Sequence, residues 1–218
     1  NAQIHFPPMD STSPIAGPRK PGARKLQILQ TLAAMLEDPK GEKVTTAALA
    51  ARLGVSEAAL YRHFASKAKM FEALIGFAEE SVFTRINQIL EEDKDTASRC
   101  YFICYLLLGF ADRNPGITRL LLGDALTGEN ERLHTRVQQF FQRIETQFRQ
   151  VLREAKIRGE PEYRLEPELS ARLLTDWLEG RMHHYRRSGF SESPLTHLEP
   201  VWEAFQQVVF ARRPEHHR

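Results

Sequence analysis

A chain of 218 residues, 42% of them hydrophobic, can build one large or two small domains around a sizeable core, and no window supplies the roughly 18 to 20 uninterrupted apolar residues of a membrane span. Its two cysteines, Cys100 and Cys104, lie four apart on one face of a helix, a poor arrangement for a disulfide, and read as reduced, buried, cytosolic thiols. The net charge of +2 conceals a gradient, with ten Lys or Arg against four Asp or Glu in residues 18–69 and 20 against 23 in residues 70–218, and a locally basic front attracts a polyphosphate by Coulomb force and counterion release.

Residues 1–22, "NAQIHFPPMDSTSPIAGPRKPG", are rich in Pro, Ser and Gly and lack the order of a signal peptide. They are expected to be a disordered tail, with Met9 as a candidate natural start and residues 1–8 as a leftover of expression. Beyond them apolar residues recur at helical spacing and no alternating stretch proposes a sheet, so the fold class is all-α with about nine helices. A first helix is predicted over 23–37, with Leu26, Leu29, Leu32, Ala33 and Leu36 inward, and "DPKGEK" ends it.

Two short helices follow in "TTAALAARLGVSEAALYRHF". Ala50 is small enough for a close helix crossing, Gly54 permits the positive φ of a tight turn, and Leu49, Val55 and Leu60 pin the pair together. Thr45 or Thr46 caps the first helix and Ser56 the second. This spacing fits a helix-turn-helix, and an ordinary helical hairpin fits it about as well. Tyr61, His63 and Lys67, a hydroxyl, an imidazole and an ammonium near helix ends, favour a phosphate-binding role.

A long helix is predicted over 67–92, capped by Ser66, with Phe71, Leu74, Ile75, Ala78, Val82, Ile86 and Ile89 on its core face. The helix at 96–113 is apolar nearly all round, as in the middle of a bundle, and "RNPG" stops it. A short helix over 117–126, a long polar one over 129–158, and two more over 167–187 and 198–212 complete the chain. The last two carry apolar stripes wider than one bundle face needs, including Leu173, Trp177, Met182, Tyr185, Val201, Trp202, Phe205 and Val209. Pairing with a second copy about a two-fold axis would bury the surplus; packing within one chain is the other reading. The domain boundaries expected are a head over 23–68, a regulatory and dimerisation body over 69–213 and a tail over 214–218.

The stretch "TTAALAARLGVSEAALYRHFASKAKMFEALI" resembles the DNA-binding domain of the TetR family of bacterial regulators. Its continuation "GFAEESVFTRINQIL", together with "LLLGFADRNPGITRLLLGDAL" and "RIETQFRQVLRE", is similar to one subgroup of that family, the nucleoid occlusion factors. The resemblance implies a dimer on palindromic chromosomal DNA that, while bound, contacts the C-terminal tail of the tubulin-like division protein FtsZ and opposes division-ring assembly over the nucleoid. It implies a cytoplasmic, nucleoid-associated protein with no membrane partner or cofactor; an enzyme is the weaker rival, since the sequence offers no Gly-rich phosphate loop, metal-ligand cluster or nucleophile paired to a base. The number of dimers per site stays open, and a ligand-responsive TetR-type repressor is the alternative.

For DNA, the second short helix enters the major groove, where Ala58 is small enough to approach a thymine methyl. Thr45, Thr46, Tyr61, His63 and Lys67 are candidates for phosphates. Ser56 and Glu57 are either base readers or simply a cap and a first-turn charge. Arg19, Lys20, Arg24 and Lys25 could form a basic arm. In the resembling subgroup the positions matching Phe77, Arg85, Leu106, Gly109 and Arg113 line the FtsZ groove. At 100° per residue Phe77 falls outside the core face of its helix and Arg85 lies at its edge, while a mid-helix Gly109 costs about 1 kcal/mol and suggests close backbone approach. Simple helix packing explains Leu106 and Gly109 equally well. The adjacent pairs His183 with His184 and His216 with His217 are not placed to share a metal.

Overall fold

The computed structural model describes residues 22–38, 43–92, 94–160 and 162–212. The expectations for the N-terminal tail, for Arg19 and Lys20 and for His216 and His217 lie outside the described residues. Among the described residues there are nine α-helices and no strand: α1 Ala23–Leu36, α2 Thr46–Arg52, α3 Glu57–Tyr61, α4 Lys67–Glu91, α5 Thr96–Arg113, α6 Pro115–Leu121, α7 Glu131–Glu154, α8 Pro167–Arg187 and α9 Leu198–Val209. A 3-10 turn, Asp124–Leu126, links α6 to α7.

The head forms where the residue types demand it. Thr45 caps α2 by accepting from the Ala48 N–H at 3.1 Å, and Ser56 caps α3 by accepting from the Ala59 N–H at 3.2 Å. Between them Gly54 takes φ 65°, the left-handed conformation the turn needs. Leu49 and Leu60 are buried at the crossing and Val55 packs against them. Ser66 then caps α4 through the Lys69 N–H.

The body is built around α5, which packs against α4, α6, α7 and α8. That position explains its nearly continuous apolar surface, and it buries Cys100 and Cys104 completely. Asp95 caps α5 at its start, and Pro115 occupies the first turn of α6, where a missing N–H costs nothing. The one "RNPG" stretch therefore ends one helix and begins the next. The predicted helix at 117–126 is split by Gly123 at φ 85° into α6 and the 3-10 turn. At the far end α9 stops at Val209 instead of 212, because residues 211 and 212 leave the helix to pair with residues 163 and 164: the Arg164 N–H donates to the Ala211 carbonyl at 2.6 Å.

Two expectations about packing are corrected. In α1 the inward stripe is Ile28, Leu32 and Leu36, whereas Leu26 is 55% exposed, because the stripe follows i, i+4, i+8 from Ile28. The close backbone approach expected at Gly109 occurs at Gly116 instead: a Cβ there would lie 2.0 Å from the Ala33 carbonyl oxygen, so α6 crosses α1 with no room for a side chain. Arg119, buried on the same helix, donates from Nη1 to the carbonyls of Leu36 at 3.2 Å and Asp38 at 3.4 Å, closing the C-terminal end of α1 with a cation where the helix dipole favours one. Head and body are thus clamped along α1 and α6. Gly116→Ala is expected to destabilise by about 3 kcal/mol through this overlap; in a chain of this size that lowers the melting temperature by about 8 °C. A melting curve within 2 °C of wild type, read by circular dichroism, would contradict the clamp.

Candidate nucleic-acid interface and partner groove

The head's exposed face gathers most of the predicted residues. Thr45, Ser56, Glu57, Ala58 and Tyr61 are exposed there, and Thr46 and His63 are half-buried. Thr46, Glu57 and Tyr61 form a chain: the Thr46 hydroxyl donates to the Glu57 carboxylate at 2.6 Å, and the Tyr61 hydroxyl donates to Thr46 at 3.4 Å. With Glu57 bound to the start of α2 and placed in the first turn of α3, its side chain has a structural task of its own. Ser56 likewise is engaged as a cap. Ala58 presents only a methyl, so the outer surface of α3 is smooth enough to lie against a groove wall.

Local sequence reasoning passed over three further cations on the head, Lys43, Arg52 and Arg62, all exposed. Arg62 directly follows α3 and Lys43 precedes the cap of α2. Their signal was simple, basic residues beside the ends of the two short helices, Lys43 before α2, Arg52 at its last turn and Arg62 just after α3, but they belong to no motif.

Lys67 has a partner that no local pattern reveals. Its ammonium lies 2.5 Å from the Glu129 carboxylate, with the two side chains only 19% and 13% exposed, and 5.3 Å from the centre of the Phe71 ring. Glu129 belongs to the loop between the 3-10 turn and α7, on the body.

The groove candidates lie on α4 and α5, which pack against each other. Phe77 is 38% exposed on α4, and Arg85 is half-buried there, donating from Nη1 to Gln88 Oε1 at 2.6 Å. On α5, Leu106 is 6% exposed and Arg113 is exposed. Leu106 therefore forms floor rather than wall. Gly109 is corrected in its role: the place of its missing Cβ lies 3.4 Å from Arg113 Nη2, so the glycine lets the Arg113 guanidinium lie back along its own helix instead of admitting another backbone. A residue the sequence reading missed, Phe102, lies one turn before Leu106, with the Lys94 ammonium 3.7 Å above its ring. Between them, α4 and α5 and the residue leading into α5 carry exposed or half-buried Phe77, Phe102, Arg85, Arg113 and Lys94, residue types that suit a peptide both apolar and acidic.

The predicted dimer face divides. Leu173 and Val201 are each 38% exposed, and with Leu169 and Val208 at 58% and 59% they form an apolar strip along α8 and α9. Trp177 and Phe205 stack beside it at 5.0 Å. Gly180 lies one turn on from Trp177, with nothing within 4 Å of the place of its Cβ. Met182, Tyr185, Trp202 and Val209 are corrected: all four are at most 6% exposed and pack inside their own chain, Tyr185 also donating to the Asp112 carbonyl at 3.1 Å. The wide stripes serve two packings at once, one within the chain and one left open.

An open cleft of about 420 Å³ between α6, α7 and α8 is lined by Leu121, Val137, Phe141, Thr175, Glu179 and His183 among others. Burial pushes the Glu179 carboxyl above its usual range. His184 pairs with Glu192 at 2.8 Å, away from His183 in the cleft. Among the described residues no group of three or more His, Cys, Asp and Glu could hold a metal ion, and no helix is long and apolar enough to cross a membrane.

Comparison with known proteins matches residues 39–74 to the bacterial regulatory proteins of the tetR family and residues 94–209 to a tetracyclin repressor-like, C-terminal domain of SlmA type. Nucleoid occlusion factor SlmA of Alteromonas mediterranea is 51% identical over 85% of this chain and 95% of its own length. SlmA of Colwellia psychrerythraea is 53% identical over 83% and 91%. Among solved structures the fatty acid degradation regulator FadR from Bacillus halodurans superposes with a TM-score of 0.73 at 14% identity, covering 89% of this chain and 100% of its own. A TetR transcriptional regulator from Chloroflexus aurantiacus gives 0.67 at 21% identity, covering 84% and 93%. At such identities these two likenesses speak for the shared fold alone.

Proposed function

Since the chain belongs to the family of the nucleoid occlusion factor SlmA, within the tetR-type regulators, we propose how its parts divide that task. It is a nucleoid occlusion factor whose α2–α3 head binds DNA. The observation that carries this is identity near one half running through head and body together, where a merely shared fold would leave 13–21%.

We propose that two copies pair through the apolar strip of α8 and α9 and set two heads on the half-sites of a palindrome, roughly 34 to 36 Å or a multiple apart. Thr45, Thr46, Tyr61, His63 and Lys67, with Lys43 and Arg62, face the phosphates, and Ala58 lies nearest the bases. While DNA-bound, the α4–α5 flank of Phe77, Arg85, Leu106 and Arg113 takes the C-terminal tail of FtsZ. The protein then works at the chromosome, in the cytoplasm, as a non-catalytic antagonist of ring assembly. Support for the tail as partner comes from the mixed apolar and cationic lining of that flank.

The test is polymerisation of FtsZ followed by light scattering. Protein with a specific duplex is expected to suppress scattering more than protein alone; an effect that DNA leaves unchanged would remove the DNA-gated reading. A small molecule that releases DNA would favour the repressor alternative, for which the cleft beneath α6 is the available space.

Lys67→Ala is expected to weaken binding to every sequence alike and to reduce the slope of log affinity against log salt by about one ion per head. An unchanged slope would remove Lys67 from the phosphate contacts. Thr45→Ala removes a cap worth about 1 kcal/mol and is expected to lose DNA affinity while the far-ultraviolet spectrum of the bundle stays intact. Loss of helix alongside loss of binding would make the effect indirect.

A further inference from the structure

We propose that the carboxylate of Glu129 holds, in the DNA-free protein, the place that a DNA phosphate takes in the complex, so that binding exchanges one anion for another at Lys67. The inference rests on the reading of the α2–α3 head as the DNA-binding element.

Lys67 is the first residue of α4, where the positive end of the helix dipole makes a cation unfavourable unless an anion accompanies it. Glu129 supplies that anion from the body, 62 residues along the chain and 2.5 Å away. The body fixes the carboxylate's approach. The Glu129 N–H donates to the Leu126 carbonyl at 2.9 Å, His134 holds the same carbonyl at 3.0 Å, and Asn130 caps α7 through the Arg132 N–H. Beside this loop the place of a Cβ on Gly128 lies 3.5 Å from the Lys43 ammonium, just ahead of the α2 cap. One short body loop therefore faces two cations of the head, at the starts of α2 and α4.

The exchange favours the phosphate, but only modestly, which is what a reversible device requires. A little-exposed ion pair recovers its desolvation cost only in part. A phosphodiester at the same ammonium offers a charge-assisted contact of the same kind and adds counterion release. Glu129 thus lowers the affinity for DNA, and its displacement detaches the loop from the start of α4, the helix that carries Phe77 and Arg85.

The test measures affinity by fluorescence anisotropy for a duplex that the wild-type protein selects from a random-sequence pool. Glu129→Gln is expected to tighten binding about fivefold. In a Lys67→Ala background the same change is expected to alter affinity less than twofold, because the two residues act through one contact. Glu131→Gln removes an exposed charge next door and is expected to change little. An unchanged or weaker affinity of Glu129→Gln overturns the exchange. So does a gain that persists in the Lys67→Ala background, since it would then be a general effect of removing negative charge near DNA. If Lys67→Ala alone binds like wild type, the exchange falls while DNA binding by the head stands. A wild type that does not enrich any duplex from the pool overturns both.

Discussion

A variant with glutamate at both Leu173 and Val201 is expected to run as a monomer in light scattering at micromolar concentration, with the affinity for a palindromic duplex down by at least about a hundredfold. Both side chains are 38% exposed on the apolar strip of α8 and α9, between the more exposed Leu169 and Val208, so the single chain tolerates the change and its helix content should hold. In a two-fold interface each substitution appears twice, so four carboxylates would enter one apolar contact. Burying an unpaired carboxylate costs several kcal/mol, and 1.4 kcal/mol is a factor of ten, so dissociation should move by three decades or more. DNA affinity follows because a tethered second head binds at millimolar effective concentration, and a lone head forfeits that. Persistence of the dimer would mean that the strip packs against something else. Gly180 provides a second probe on the same strip: a bulky residue there meets nothing in the single chain, so loss of dimer in Gly180→Leu would place the partner's close crossing at that turn.

Arg113→Asp is expected to reduce affinity for an FtsZ C-terminal tail peptide at least about tenfold, leaving DNA affinity unchanged. The side chain is exposed and its guanidinium lies back over Gly109, one turn on from the buried Leu106. Reversal replaces a bidentate donor by a like charge facing the acidic residues of the peptide, a larger perturbation than simple truncation. An aspartate at the end of α5 opposes the helix dipole by about 0.5 kcal/mol, too little to unfold the bundle, so lost binding with intact melting belongs to the groove. Phe77→Ala should act in the same direction by removing apolar cover. Equal affinity of wild type and Arg113→Asp would refute the assignment of this flank to the tail.

Much of this architecture was legible because helices announce themselves locally. Thr45, Ser56 and Ser66 are cap residues by chemistry, Gly54 is the one residue that takes the turn's φ without strain, and the outward position of Phe77 follows from 100° per residue. What stayed hidden depends on which helix lies opposite. Leu26 and Ile28 compete for the inward face of α1, and the places of α2, α4 and α6 around it decide between them. Gly109 is a mid-helix glycine and Gly116 part of a helix stop, and neither context tells what lies opposite: Gly116 meets the Ala33 backbone and Gly109 its own Arg113. Trp202 and Val209 share a helix with Val201 and Val208, and the wheel shows a broad stripe without telling which part another helix of the same chain already covers. Lys67 is recognisable as a helix-start cation, but Glu129 belongs to its environment through tertiary folding alone.

The burial of Cys100 and Cys104 within α5 gives the molecule an internal clock. Both are completely enclosed, and burial pushes both thiols well above the pKa of a free cysteine, so the reactive thiolate is scarce as well as shielded. Alkylating reagents must wait for α5 to part from its four neighbours. The labelling rate consequently measures how often the bundle opens, without any engineered probe, and a ligand or duplex that tightens the body will announce itself as slower chemistry at two native sulfur atoms.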